Sequence, residues 1–316
     1  MTNFDIDAIT GYDEIIDVSQ SATPMTDIKV ALNNNKNVKV VLPNEMVLDN
    51  GDRVIVSQGK KLTLTINDVV TNNDAYAFVA HGGEIILDGE GSVSGAGRVA
   101  QAENGGVITV NGGDYTTTSA GQIMSAIGEG SKIIVNQGNF NSQESGLMAF
   151  DGAEVEVNGG TFTTIDNFAI GTNGTPGRGN NIITIKNAKI YSNITSPGYI
   201  ACGIYAANND TIIIDEGTEI YVNNGCGICQ RGGHLIIKDG VKITTTTDAN
   251  FIAGGVGDKE KDLGADGIIF DEESAYPGHT GMSLTVEDGV IFNVANGYEN
   301  IKIYPLNGVT PDVTIE

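Results

Sequence analysis

The residues of this chain with the most specific chemistry are three cysteines, three histidines and four arginines, set among 40 acidic side chains. Cys202 and Cys226 are each followed by Gly-Ile, and Cys226-Gly-Ile-Cys229 has the CxxC spacing of a metal or redox pair. A structural zinc ion wants four ligands. The nearest histidine, His234, follows Gly232-Gly233 in a different part of its repeat, and residues three apart on a strand point to opposite faces. Buried, stacked cysteines are therefore expected, with no metal and no cofactor. Acid–base hydrolysis of a sugar needs two carboxyl groups placed on either side of the scissile bond. Asp239 and Glu287 are of the right type, but both fall at predicted corners, where acidic residues are common for turn-forming reasons. His81, His234 and His279 share no spacing with a Ser or Cys nucleophile and read as surface or corner residues. No residue is assigned a catalytic role from this pattern.

Any such site would have to be positioned by short strands. The chain has 43 Gly, 7 Pro and no Trp, and its heavy use of Ile, Val, Thr and Asn favours strands separated by turns. The formal net charge is −23, with no long basic run to track a phosphate backbone, which excludes DNA and RNA as partners. The same field repels anionic membranes and bare polyuronates, and no apolar run approaches a membrane span. The opening residues, MTNFDIDAIT, lack the basic-then-apolar order of a secretion signal, so synthesis in a cytoplasm is expected. Three clustered cysteines agree with a reducing compartment rather than a disulfide framework.

One phrase recurs along the chain: small or polar residues, an alternating apolar stretch, Asn or Asp with Gly, then an apolar or aromatic residue. Copies include GGEIILDGEG from Gly82, GGVITVNGGDY from Gly105, GSKIIVNQGNF from Gly130 and GAEVEVNGGTF from Gly152. Taking the last apolar residue before each corner as anchor gives Ile66, Leu87, Val110, Val135, Val157, Ile185, Ile214 and Ile237, at steps of 21 to 29 residues. The next anchor, Val286, lies 49 residues on, which reads as two coils with the DKEKDLGADG and DEESAYPGHT stretches bulging outward. A second apolar stretch in each unit, such as AFVA before His81 or LMAF before Asp151, implies two or three strands per repeat. Repeats of this length with strands and no helix specify an all-β, right-handed parallel β-helix, a solenoid of about eleven coils.

In such a stack, equivalent residues of successive coils lie about 4.8 Å apart. Tyr115, Phe140 and Phe162, each five residues after its anchor, should form an aromatic ladder continued by Ile190, Ile220 and Ile243. Asn111, Asn136 and Asn158 should form an inward-turned asparagine ladder in left-handed backbone. Pro24 and a Thr26 N-cap announce a short amphipathic helix over residues 27–33, able to cover the first coil. The β-helix domain thus spans residues 24–316. Residues 1–23 fit no coil, yet carry Phe4, Ile6, Ile9, Ile15 and Ile16, and read as an attachment arm whose apolar residues bind a partner. The C-terminal stretch offers no comparable helix, so its last coil is expected to be covered by another chain.

The order of a short helix ending in Asn33-Asn34-Asn35, the strand Val40-Val41-Leu42-Pro43, and coils reading GGxIxVNGG resembles the pectate-lyase-like β-helix superfamily over residues 24–316. That superfamily includes polysaccharide lyases, glycoside hydrolases and many bacteriophage spikes, fibres and appendages, and this chain is most like the phage branch. For an enzyme, the resemblance implies an aspartate pair with a Gly-His-Gly element, or clustered carboxylates beside an arginine base. The nearest matches are Gly278-His279-Thr280, in an irregular loop, and Arg231, if it lay beside the Asp151 face. The reading of Arg231 as solvated surface charge stands against that. The expectation is a structural virion protein, a head fibre, decoration or spike docking through its N-terminal segment onto capsid or tail proteins. It would be a homotrimer, located on the virion and in possible contact with host-surface glycans. The alternatives are a β-helix polysaccharide lyase or hydrolase, and a non-catalytic sugar-binding adhesin with Tyr76, Tyr191, Tyr199 and Tyr205 along a shared groove.

Overall fold

The computed structural model describes residues 11–49, 52–71, 76–118, 121–175, 177–195, 200–248, 264–273, 275 and 281–316. Alternating aliphatic and β-branched residues, bounded by Gly and Asn, form strands of three to six residues. The chain visits three sheets in turn. Glu84–Asp88 lies in the first, Ser92–Gly95 in the second and Arg98–Glu103 in the third, before Val107–Val110 returns beside Glu84–Asp88. Repetition gives sheet A, twelve strands, and sheets B and C, ten strands each, with every neighbouring pair parallel. Among the described residues the one helix is Pro24–Asn34. The molecule is an all-β parallel solenoid with a small helical cap.

From the first to the last of the ten rungs in sheets B and C there are nine turns, fewer than the eleven coils expected. One of the two coils is lost at a single place. Ile237 pairs directly with Val286, so the 49-residue step is a single coil with a long excursion after Lys242–Thr246, rather than two coils. Most of DKEKDLGADG and several residues of DEESAYPGHT lie outside the described residues. At the other end of the ladder, Leu64 rather than Ile66 is the partner of Leu87, because the strand closes at Thr65 before Ile66 turns the corner.

The interior is built of self-stacking rungs. Leu64, Leu87, Val110, Val135, Val157, Ile185, Ile214 and Ile237 are all fully buried, at one register position per coil. The aromatic ladder forms as expected: ring centroids are 5.1 Å apart for Tyr115–Phe140 and 4.6 Å for Phe140–Phe162, and buried Ile190, Ile220 and Ile243 continue the file. A second apolar cluster, which includes Met148, Phe150, Phe168, Tyr205 and Ile269, covers some of the outer side of sheet C.

The two ends differ. At the start, Ile28, Ala31 and Leu32 of the helix are buried against the first coils. The helix begins at Pro24 with Thr23 as N-cap, earlier than the Thr26 cap expected, because proline is already suited to the first helical position. Ile15 and Ile16 lie in the strand Glu14–Asp17, paired with Asn37–Val41, and Ile16 packs against the core. Phe4, Ile6 and Ile9 lie outside the described residues. At the far end Phe292, Ile301 and Val313 are only partly buried. Phe292 and Ile301 border a depression of about 540 Å³ that is also lined by Ile315 and by Glu287, Asp288, Glu299 and Glu316. Among the described residues, no helix is long and apolar enough to cross a membrane.

Candidate functional site

Cys202 and Cys226 are register partners on adjacent strands of sheet C, and both are fully buried as free thiols. Cys229 joins the same outer cluster as Cys226, which departs from the strict alternation expected of a CxxC pair. Cys226 is the first residue of its strand, two positions after Asn224, whose left-handed backbone (φ 65°) turns the corner, so alternation is not yet established there. Burial pushes the Cys202 and Cys226 thiols up from the usual thiol range, and the contact with Cys226 together with burial does the same for Cys229. Such thiols stay protonated at neutral pH, which makes them weak nucleophiles and weak metal ligands. Among the described residues, no three His, Cys, Asp or Glu side chains are grouped to share a metal ion.

Arg231 is neither a surface charge nor a neighbour of Asp151, as the sequence suggested. It is 5% exposed, and its Nη1 donates to the Tyr205 hydroxyl at 3.0 Å under the outer cluster of sheet C. Asp151 is held instead by Arg178 from the next coil, through Nε–Oδ1 and Nη2–Oδ2 contacts of 2.8 and 2.7 Å, with the guanidinium 4.7 Å from the Phe150 ring centroid. These bonds hold the Asp151 carboxyl below its usual range. The pair clamps a corner, since Asp151 is itself in left-handed backbone (φ 60°).

The other titratable candidates sit apart from one another. His81 Nδ1 is 2.8 Å from Glu103 Oε1, and His234 Nδ1 is 2.8 Å from Ser283 Oγ, both at exposed positions. The Asp239 backbone N–H donates to Glu287 Oε2 at 3.0 Å, which makes those two a corner hydrogen bond across adjacent coils. His279, with its flanking Gly278 and Thr280, lies outside the described residues. Sequence reasoning missed buried Asp210, whose Oδ1 accepts from Asn181 N at 2.9 Å and Asn181 Nδ2 at 2.7 Å. Asn181 Oδ1 in turn accepts from the N–H groups of Gly152 and Ala153. Desolvation pushes the Asp210 carboxyl above its usual range. The signal was present in Asn180-Asn181 and Asn209-Asp210, 29 residues apart, a polar corner repeated one coil later.

Two polar surfaces remain. The asparagine ladder exists, with Asn136 Nδ2 to Asn111 Oδ1 at 2.9 Å and Asn158 Nδ2 to Asn136 Oδ1 at 3.1 Å, but Asn111 and Asn136 are exposed rather than turned inward. Each follows an inward anchor, and alternation sends it out. None of the three has left-handed backbone; that conformation falls on Asn104, Asn167, Asn180, Asn187 and Asn224. Asn136 and Asn158 line a shallow groove of about 600 Å³, with Glu90, Asp114, Asn139 and Lys189, floored by Gly112, Gly113, Gly138, Gly159 and Gly160. On sheet C, the Tyr76 hydroxyl lies 2.8 Å from Ser125 Oγ, Gln101 Nε2 donates to the same oxygen at 3.2 Å, and the Arg98 guanidinium lies 5.4 Å from the Tyr76 ring centroid.

Amides, hydroxyls and mixed charges spaced one coil apart can hydrogen-bond the hydroxyls of an extended sugar, which is binding chemistry rather than bond cleavage. Among the described residues, the tyrosines considered for an adhesin do not share a groove. Tyr76 is on sheet C, Tyr205 is buried, and Tyr191 is on sheet B with its ring stacked on Tyr221 (5.1 Å, 11°), while Tyr199 lies outside the described residues. Comparison with protein-family models, with curated proteins and with solved structures finds no match to this chain.

Proposed function

We propose that this chain is a structural β-helix protein of a bacteriophage particle, a head fibre, decoration protein or spike. In this reading it docks on capsid or tail proteins through its N-terminal segment and projects the solenoid as a homotrimeric shaft. The observation that carries the reading is where the sequence places its chemistry. Thiols, the Tyr205–Arg231 contact, the Arg178–Asp151 pair and the Asn ladder all join neighbouring coils, and joining coils is what a rod under mechanical load requires. The phage assignment and the trimer both follow from the β-helix resemblance. Electron microscopy of the native assembly with gold-labelled protein tests it: rods with a three-fold end view, rooted on a particle by their N-terminal ends, are the expected image. A stable monomer in analytical ultracentrifugation that fails to bind any particle overturns it.

The corner groove favours a second reading, in which the shaft also contacts a host-surface glycan. A glycan array with wild type and an Asn136→Ala, Asn158→Ala double variant separates the two: binding that the variant loses supports the contact, and an array without signal removes it. Release of oligosaccharides from any arrayed polymer would instead replace the structural reading with an enzymatic one.

A further inference from the structure

The outward residues of sheet A form columns that run the length of the solenoid. From Thr63, which is itself buried, to Thr314 the central column has ten rungs, and every one is Ile or Thr except Glu156. Its isoleucines are Ile86, Ile134, Ile213 and Ile236, and the adjacent outward column adds Val107 and Ile182, the latter 45% exposed. β-Propensity alone does not produce this. The corresponding column of sheet B, from Val70 to Asn293, is built from Ser, Thr, Asn and Tyr after its first residue and contains no isoleucine. Sheet C differs again, because some of its outer side is covered by the second apolar cluster.

Charge singles out the same face. In a chain of net charge −23, two copies repel each other across most surfaces. From Asn37–Val41 to Asp312–Ile315, the two outward columns of sheet A carry three lysines (Lys39, Lys61, Lys132) and four carboxylates (Glu84, Glu154, Glu156, Asp312), a formal sum of only −1. Lys61 pairs with Glu84 at 3.1 Å, and Lys132 with Glu156 at 3.0 Å and Glu154 at 3.4 Å. We infer that the Ile/Thr face of sheet A is the interface between copies of this chain, lying in parallel around a common axis with their central columns turned inward. The geometry suits three copies. A strand of four residues is about 13 Å wide, so three such sheets closing a triangle stand about 4 Å from its centre, near half the roughly 10 Å that separates packed sheets. This inference rests on the homotrimer proposed above and adds which surface builds it.

The test combines sedimentation velocity with cross-linking on the full chain. Wild type should sediment as a trimer, and an Ile134→Lys, Ile213→Lys double variant should lose that species for monomer while keeping a sheet-dominated circular dichroism spectrum. Asn141→Lys, on sheet B, should leave the trimer intact. An Ile134→Cys variant should give a disulfide-linked dimer on mild oxidation, since equivalent residues meet at the axis and the native thiols are buried; Thr163→Cys should not. The cross-link also decides the matter if the lysine variants fail to fold. A wild-type monomer overturns both this inference and the oligomeric shaft. An oligomer that survives the lysines on sheet A, or gives no Ile134→Cys cross-link, overturns the interface alone and leaves the shaft standing.

Discussion

Phe140 sits between two rings, Tyr115 and Phe162, and is almost fully buried. Truncation there removes two stacking contacts and leaves a cavity between coils, so Phe140→Ala should cost roughly 3–5 kcal/mol in urea unfolding. A loss below about 1 kcal/mol would mean the ladder is ornamental. Asp210 predicts a pH effect of defined sign. A carboxyl whose folded pKa is raised binds more protons in the folded state, so its contribution to stability falls as pH rises from its unfolded value of about 3.9 through the folded one, and is level above that. Asp210→Asn keeps an acceptor for Asn181 and removes the slope. Wild-type stability relative to this variant should decline from about pH 4 upward and then flatten; a difference independent of pH would refute the buried charge. Asp151 has the opposite sign, and its stabilising contribution disappears as pH falls below the usual carboxylate range. With side chains 37% and 34% exposed, the Arg178–Asp151 pair should be worth no more than about 1 kcal/mol by double-mutant cycle.

Adjacent glycines at the corner that opens the sheet A strand Val107–Val110 serve different purposes. Gly105 has φ 78° with nothing near its missing side chain, so Gly105→Ala meets only the left-handed backbone, at a cost of about 1–2 kcal/mol. At Gly106 a β-carbon would stand 1.9 Å from the Ala80 carbonyl oxygen of the preceding coil, so Gly106→Ala must push neighbouring coils apart and should cost more than its neighbour does. Equilibrium denaturation of both variants tests the order, and equal losses would contradict the close approach. The cap is an element of the same importance. Ile28 is fully buried under the helix, and Ile28→Ala should cost roughly 2–5 kcal/mol while leaving the sheet signal of the remaining coils unchanged.

Over the whole molecule, stability is in the main a sum of contacts between adjacent coils, with the Tyr76–Ser125 hydrogen bond reaching across one coil to the next but one. Twelve strands in sheet A make eleven steps of about 4.8 Å, a rod near 50 Å long. Solution scattering of the dissociated Ile134→Lys, Ile213→Lys variant should give an elongated envelope, and a spherical one would rule out the solenoid. Association should tighten with salt, because screening weakens repulsion between chains of charge −23 while apolar contact on sheet A is insensitive to it. Weaker association at high salt would indicate ion pairs, rather than the Ile/Thr column, as the contact.

Periodicity alone determined the architecture. Anchors such as Val110, Val135 and Val157, with Tyr115, Phe140 and Phe162 at a constant offset, encode a stack in which like residues meet, because register between parallel coils is a property of the repeat itself. The same alternation, followed strictly, would have turned Asn136 outward. What the sequence could not supply was anything that depends on the path between rungs. Whether 49 residues made one coil or two, whether Arg178 or Arg231 reached Asp151, and whether Cys226 and Cys229 shared a side were decided at corners and excursions. There the backbone leaves the two-residue period, and neighbours are set by three-dimensional closure rather than by spacing along the chain.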